Sequence, residues 1–224
     1  MVAGLRAGHR YAGAVLTTSD SVTDHLEMAD WRRRVAELYA QLRADPTPGP
    51  ERLAAFRVAR DELFRTHPQS PVAAEKRSAF RGLAYWPHDP ALRMSAALEP
   101  DPAFAAADLP ASVGDAPAFT RLGWVEALVA GGAARLAVYW LAGYAGGIFI
   151  PFRDATSGHE TYAGGRYLWD SAKGADLGSR DGRLVLDFNY AFHPSCVYDP
   201  RWSCPLAPAE NWLAMPVRAG ERLP

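Results

Sequence analysis

From Phe80 onward the chain runs as short β-rich apolar segments broken by glycine and proline, with no helical repeat between them. These segments read as Gly82–Trp86, Leu92–Leu98, Ala118–Leu128, Ala134–Leu141, Gly147–Phe152, Arg166–Asp170, Arg183–Asn189 and Ala214–Arg218. Strands that follow one another closely, without crossover helices, point to antiparallel pairing rather than a parallel α/β sheet. "AGGA" (Ala130–Ala133) and "SRDG" (Ser179–Gly182) carry hairpin turn chemistry. The predicted fold is α+β and mainly β, an antiparallel sandwich or partly closed β-barrel preceded by two N-terminal helices. The stretch Glu99–Pro117 is long for a compact domain and reads as a surface loop, an irregular hairpin or a lid.

Before Phe80 the period is helical. Trp31, Val35, Leu38 and Leu42 share one face of a helix that starts near Met28 with Asp30 as its cap. "PTPGP" (Pro46–Pro50) breaks it. A second helix carries Leu53, Phe56, Leu63 and Phe64 on its apolar stripe, with Arg57, Arg60 and Asp61 expected to face outward, and ends at "THPQSP". The expected organisation is a loosely packed or disordered extension over 1–27, a two-helix segment over 28–79 packed on the core, and an antiparallel β domain over 80–224 with a proline-rich C-terminal loop. Met28 is an alternative start of translation.

The 224 residues hold 24 basic and 25 acidic side chains, for a formal charge of −1. That balance excludes the clustered basic surface that nucleic acid demands, and no apolar run is long enough to cross a bilayer. The N-terminal stretch lacks a continuous apolar core and is not read as a signal peptide, so the expected compartment is the cytoplasm. Alanine, arginine, glycine and proline are abundant, as in high-GC bacterial proteins. There is no phosphate loop, dinucleotide fingerprint or HExxH motif, and no cofactor is expected. Oligomeric state is not readable.

The densest polar stretch is "FRDATSGHETYAGGRYLWD", directly after an apolar strand. Loops held by rigid strands are where binding groups gather. His159 could act as a general base oriented by Glu160 or Asp154, while Arg153 and Arg166 could hold an acidic group and Tyr162 could contact a ligand. The bland alternative is a turn in which Asp154, Thr156 and Ser157 bond their own backbone and Gly158 supplies positive φ. A second set pairs Asp187 with Asn189, two apart on a covered strand, with Arg166 as the expected partner and Glu210 and Asn211 closing the network.

"FHPSCVYDPRWSCP" contains both cysteines. His193, Cys196 and Cys204 offer three possible metal ligands, but the spacing matches no common zinc pattern and no CxxC is present. A catalytic thiol and a small disulfide loop are the other options. The expected role of Cys196 and Cys204 is structural, pinning the proline-rich loop to the sheet as neighbours or as a bond.

"FRVARDELFRTHPQSP" with "FRGLAYWPHDPALR", and "IFIPFRDATSGHETYAGGRYLWD" with "LDFNYAFHPSCVYDPRWSCPLAPAENWLAMPVRAGE", resemble the bacterial and archaeal domain-of-unknown-function family 1684 from Trp31 to Glu221. The resemblance implies no established reaction. The chain departs from the family pattern at His193, where the pattern has asparagine, and at Ala163, where it has glycine, which weakens a shared role for His193.

Three functions follow from these readings. The first is a small-molecule-binding β-domain with a polar pocket built from Arg153, Asp154, His159, Tyr162, Arg166, Asp187 and Asn189. The second is an enzyme using His159 with Glu160 or Asp187 as an acid–base pair on a small polar or acidic substrate. The third is a partner-binding protein acting through its N-terminal helices.

Overall fold

The computed structural model describes residues 21–45, 49–129 and 131–224. Helix α1 spans Val22–Ala44 and begins before the periodicity predicted. Ser21 and Asp24 form a reciprocal capping box there, which satisfies two orphan amides and outcompetes Asp30 as a start signal. Asp30 lies inside the helix, where it holds Arg34 and the ring of His67. Only residues 21–27 of the expected extension are described, and they are helical from Val22 onward. The part of the "PTPGP" break before Gly49 lies outside the described residues, apart from what Pro50 shows as the first residue of α2 (Pro50–Thr66). A short α3 follows at Ala74–Arg77.

The expectation that Arg57, Arg60 and Asp61 face solvent is corrected. Arg60 is buried, Arg57 stacks over the Tyr85 ring at 4.5 Å, and Asp61 accepts from the Leu83 amide. Helix α2 is covered on two sides, so its buried surface is wider than the apolar stripe alone.

The strands are β1 (Ala84–Tyr85), β2 (Arg93–Pro100), β3 (Ala106–Ala107), β4 (Phe119–Val129), β5 (Gly132–Leu141), β6 (Gly147–Phe152), β7 (Arg166–Asp170), β8 (Ser179–Arg180), β9 (Arg183–Asp187) and β10 (Glu221–Arg222). One antiparallel sheet runs in the order β7-β6-β5-β4-β2-β9-β8, with β3 added on β4, while β1 and β10 pair separately. The sheet curls into a half-barrel. Past β9 the chain turns at Phe188–Tyr190 and Phe192 bonds Tyr167 of β7 in both directions, which ties the two ends of the curl together. The predicted strand at Ala214–Arg218 is not formed. Its polar groups go elsewhere: the Val217 amide donates to Asp154 and its carbonyl accepts from Arg166.

Alternation along the strands feeds separate cores. Leu136, Val138, Ile150, Phe152, Leu184 and Leu186 fill the barrel interior. On the far face of β9, Val185 meets Val35, Tyr39, Leu53 and Phe56 of the helices. Ala137, Tyr139, Phe149 and Tyr167 pack beneath Leu109 of the long loop. That loop is strapped down by β3 and by a bridge from Ala111 to Pro205. Among the described residues, no helix is long and apolar enough to cross a membrane.

The last strand reaches its place through Gly220, whose φ is +74°. A Cβ there would lie 2.4 Å from the Ala191 carbonyl oxygen and 2.7 Å from that of Phe188. Gly182 has nearly the same φ, +73°, but nothing within 4 Å. Gly182→Ala is therefore expected to lose only the left-handed penalty of about 1 kcal/mol in urea unfolding. Gly220→Ala is expected to lose at least about 2 kcal/mol more, because backbone must move; equal losses would show that the close approach is not required.

Candidate functional site

The polar turn after β6 is largely consumed by its own structure. Thr156 donates to the Asp154 carboxylate at 2.9 Å and shares a 2.9 Å bond with Thr161, while the Asp154 amide donates to Ser157. Gly158 takes φ +88°. Arg166, fully buried, donates to the carbonyls of Val217, Ala219 and Glu221 and lies 3.5 Å from Asp154. Burial lowers its pKa to about 10 against the opposing pull of Asp154 and Glu221. Arg166 and Asp154 thus clamp the segment leading into β10 (the bonds expected of a ligand go to backbone).

The other sequence candidates do not converge on one place. Glu160 is held by Arg218 at 2.8 Å, and exposed His159 stands beside it on a shallow outer surface with Trp86 and Leu223. Asp187 pairs with Arg93 at 2.9 Å, not with Arg166, and caps its own turn by accepting from both amide groups of Asn189. Asn189 also clasps Asp89 through its carbonyl and amide. Nor do Glu210 and Asn211 join that network. Glu210 takes Arg121 and the Tyr139 hydroxyl, while buried Asn211 links Ala137 of β5 to Pro151 of β6. Arg153 stacks over Trp212 at 4.1 Å. Spacing alone could not show that each carboxylate and amide had a nearer partner.

A buried ionic network that the sequence did not announce lies at the centre. Glu221, 1% exposed, accepts from Arg60 of α2, the His193 amide and the Tyr198 hydroxyl, each at 2.8 Å. Burial alone would raise its pKa, but Arg60 and His193 bring it below the ordinary carboxylate value. The His193 ring is buried beside it, with Nδ1 3.8 Å from Glu221 and Nε2 accepting from the Tyr162 amide. Burial, reinforced by Arg166 and Arg60, pulls the ring down to about 4 despite Glu221. Nε2 is therefore committed to backbone. Among the described residues no group of three His, Cys, Asp or Glu side chains is placed to hold a metal ion.

Between α1 and the β6–β7 edge opens a cleft of about 230 Å³. Its walls are apolar, with Trp31 from α1, Phe119, Leu141, Ile148 and Phe149 from the sheet, and Trp202 from the cysteine loop. Lys173 and Arg32 bring positive charge to it, and Lys173 pairs with Asp170 at 3.2 Å, which raises its pKa. A smaller space of about 50 Å³ shares Trp31, Asp170, Lys173 and Ser195 and is floored by Arg60 and His193. The cleft thus runs from an apolar mouth toward the buried network. Of the candidates read from sequence, only His193 and Cys204 touch either space. Its residues come from six separated segments, and no local motif could have gathered them.

Both cysteines are free thiols. Cys204 lines the cleft. Cys196 lies 3.9 Å from the Tyr162 hydroxyl.

The His193 ring generates a pH prediction. Its folded pKa is about 4 against an ordinary 6.5, so unfolding takes up a proton between those values and stability falls as pH drops through that window, by up to about 1.4 kcal/mol per pH unit. His193→Asn, which can still accept from Tyr162, is expected to flatten this slope relative to the wild type in urea titrations from pH 7 to 4. Parallel slopes would assign the acid sensitivity to other groups. Asp187→Asn is expected to destabilise by about 1–3 kcal/mol by weakening its ion pair with Arg93 and to leave the cleft unchanged, read as unaltered tryptophan fluorescence in the native state.

Residues 78–222 match the family described as protein of unknown function (DUF1684), and the chain belongs to that family. An uncharacterized protein of Haloarcula marismortui, known from a solution NMR structure, is similar to it. The two share 34% identity with a TM-score of 0.56, over 77% of this chain and 93% of that one. No curated protein matches.

Proposed function

We propose that this member of the DUF1684 family is a small-molecule-binding β-domain, and that its pocket is the cleft between α1 and the β6–β7 edge. The observation that carries the reading is the cleft's composition: aromatic and aliphatic walls around a lysine–aspartate pair, with a second cation, Arg32, on the same rim. Concave apolar spaces with a few fixed polar groups are the usual form of ligand sites. The wall composition suits a flat or branched apolar body. The rim holds two cations against one carboxylate, which suits an anionic end.

This reading keeps the expected class of function but moves the pocket. The polar set after β6 serves as the clamp that builds the pocket's floor, since Arg166 and Asp154 fix the segment before Glu221, and Glu221 fixes Arg60 and His193. The ligand enters a preformed space, and little ordering entropy opposes binding.

The expected result in native mass spectrometry and calorimetry is binding of short aryl or branched alkyl carboxylates by the purified full chain. Lys173→Met should weaken binding about tenfold or more, while leaving the matching neutral amides unaffected. Carboxylates that bind wild type and Lys173→Met equally, or no binding by any member of the panel, would count against this cleft as the site.

A further inference from the structure

The inner space of about 50 Å³ behind the cleft is lined by donors that carboxylate binding at Lys173 does not use. Arg60 reaches it from α2, 6% exposed and held between the rings of Phe64 and Phe192, with Cζ 4.6 Å and 5.2 Å from their centres. Its Nε donates to Glu221 at 2.8 Å. Among the described residues its two terminal nitrogens have no hydrogen-bond partner, and neither is sealed within protein. His193 lines the same space. Its Nε2 accepts from the Tyr162 amide, so the neutral ring carries its proton on Nδ1, and the 3.8 Å from there to Glu221 is too long for a hydrogen bond.

Charge decides which acceptor suits these donors. Glu221 already balances Arg60, and the His193 ring is neutral at pH 7. A further anion would be buried beside Glu221 with no cation of its own, whereas a neutral carbonyl oxygen meets the donors without adding charge. The neck offers the complementary group. Lys173 and Asp170 line both the cleft and the inner space, and Lys173 engages Oδ2 of Asp170. Among the described residues Oδ1 of Asp170 accepts from no protein donor, which leaves it open to an N–H. A space of about 50 Å³ holds about four non-hydrogen atoms, enough for an acetyl group.

We propose that the cleft binds N-acyl amino acids whose acyl group is short and whose side chain is aromatic or branched, an inference that rests on reading the cleft as a carboxylate site. The carboxylate meets Lys173, and the side chain lies among Trp31, Phe149 and Trp202. The amide N–H donates to Asp170 at the neck. The acyl carbonyl enters the inner space and accepts from Arg60. The C-terminal residue of a peptide presents the same groups, but the chain that precedes it is too large for the inner space.

The test is calorimetry on the purified full chain with matched pairs: N-acetyl-phenylalanine against 3-phenylpropanoate, and N-acetyl-leucine against 4-methylpentanoate. The acetylamino member of each pair is expected to bind about tenfold or more tightly. N-benzoyl-leucine and glycyl-glycyl-leucine should lack that gain, since neither fits the inner space. Ala175 lines the inner space and not the outer cleft. Ala175→Val should therefore cut the gain and leave the affinity for 3-phenylpropanoate unchanged, while the ligand pairs read the unaltered chain whether or not this variant folds. Equal affinities within both pairs would overturn the proposal, the inner donors then being met by water, and would leave the carboxylate site standing. N-benzoyl-leucine or glycyl-glycyl-leucine binding as tightly as N-acetyl-leucine would overturn it as well. No binding by either member of either pair would remove the carboxylate site and this proposal together.

Discussion

The structure depends on one buried carboxylate. Glu221 is removed from water at a location where an isolated charge would be several kcal/mol unfavourable, and it is compensated by Arg60, the His193 amide and the Tyr198 hydroxyl. Each of those groups comes from a different part of the chain: helix α2, the segment closing the half-barrel, and the cysteine loop. Satisfying the charge therefore requires that all three parts be in place together. An apolar residue at this position would relax that requirement, and with it the alignment of helices, barrel and loop. Arg166 repeats the pattern one layer away, gathering three carbonyls and Asp154 around a second buried charge.

Strands whose signal is local were legible in the sequence. Gly147–Phe152 and Arg166–Asp170 were read with the boundaries observed, because each is a near-continuous apolar run bracketed by turn residues. Such runs are buried on both faces, and neither needs a distant partner to be recognised. The two-residue strands β3, β8 and β10 left no such mark. Glu221 sits in "RAGERLP", which reads as an ordinary charged tail. Its burial is decided by Arg60, 161 positions earlier. Arg60 was read as a solvent-facing helix residue for the same reason.

The candidate site failed to converge for a related physical cause. Density of polar residues after β6 marked a real feature, but polar side chains on short turns satisfy nearby backbone first. Ser157 does so here by accepting from the Asp154 amide, while Thr156 bonds the Asp154 carboxylate and that carboxylate accepts from the Val217 amide. The apolar cleft carries no such density, since Phe149, Leu141 and Trp31 look like core residues one at a time. Only the fold reveals that they share an opening. The departure at His193 acquires a meaning in this setting: a titratable ring occupies the floor of the cleft where the resemblance implied an uncharged amide.

The placement of β10 also bears on how the polypeptide can be made. Its residues are threaded between Tyr85, the Ala191 carbonyl and the Glu160 carbonyl, to which Glu221 and Leu223 donate. A nascent chain emerging from the ribosome can form the β4–β5 hairpin as soon as that hairpin is exposed. The ion pair that locks α2 to the barrel must wait until Glu221 has been synthesised and has left the exit tunnel. Until then Arg60 lacks Glu221 and Arg166 lacks the three carbonyls it gathers, and the apolar faces of α2 and the sheet stay open to other chains. Assembly is thus expected to be completed only after translation has passed this strand, with closure across a large sequence separation as its slow step.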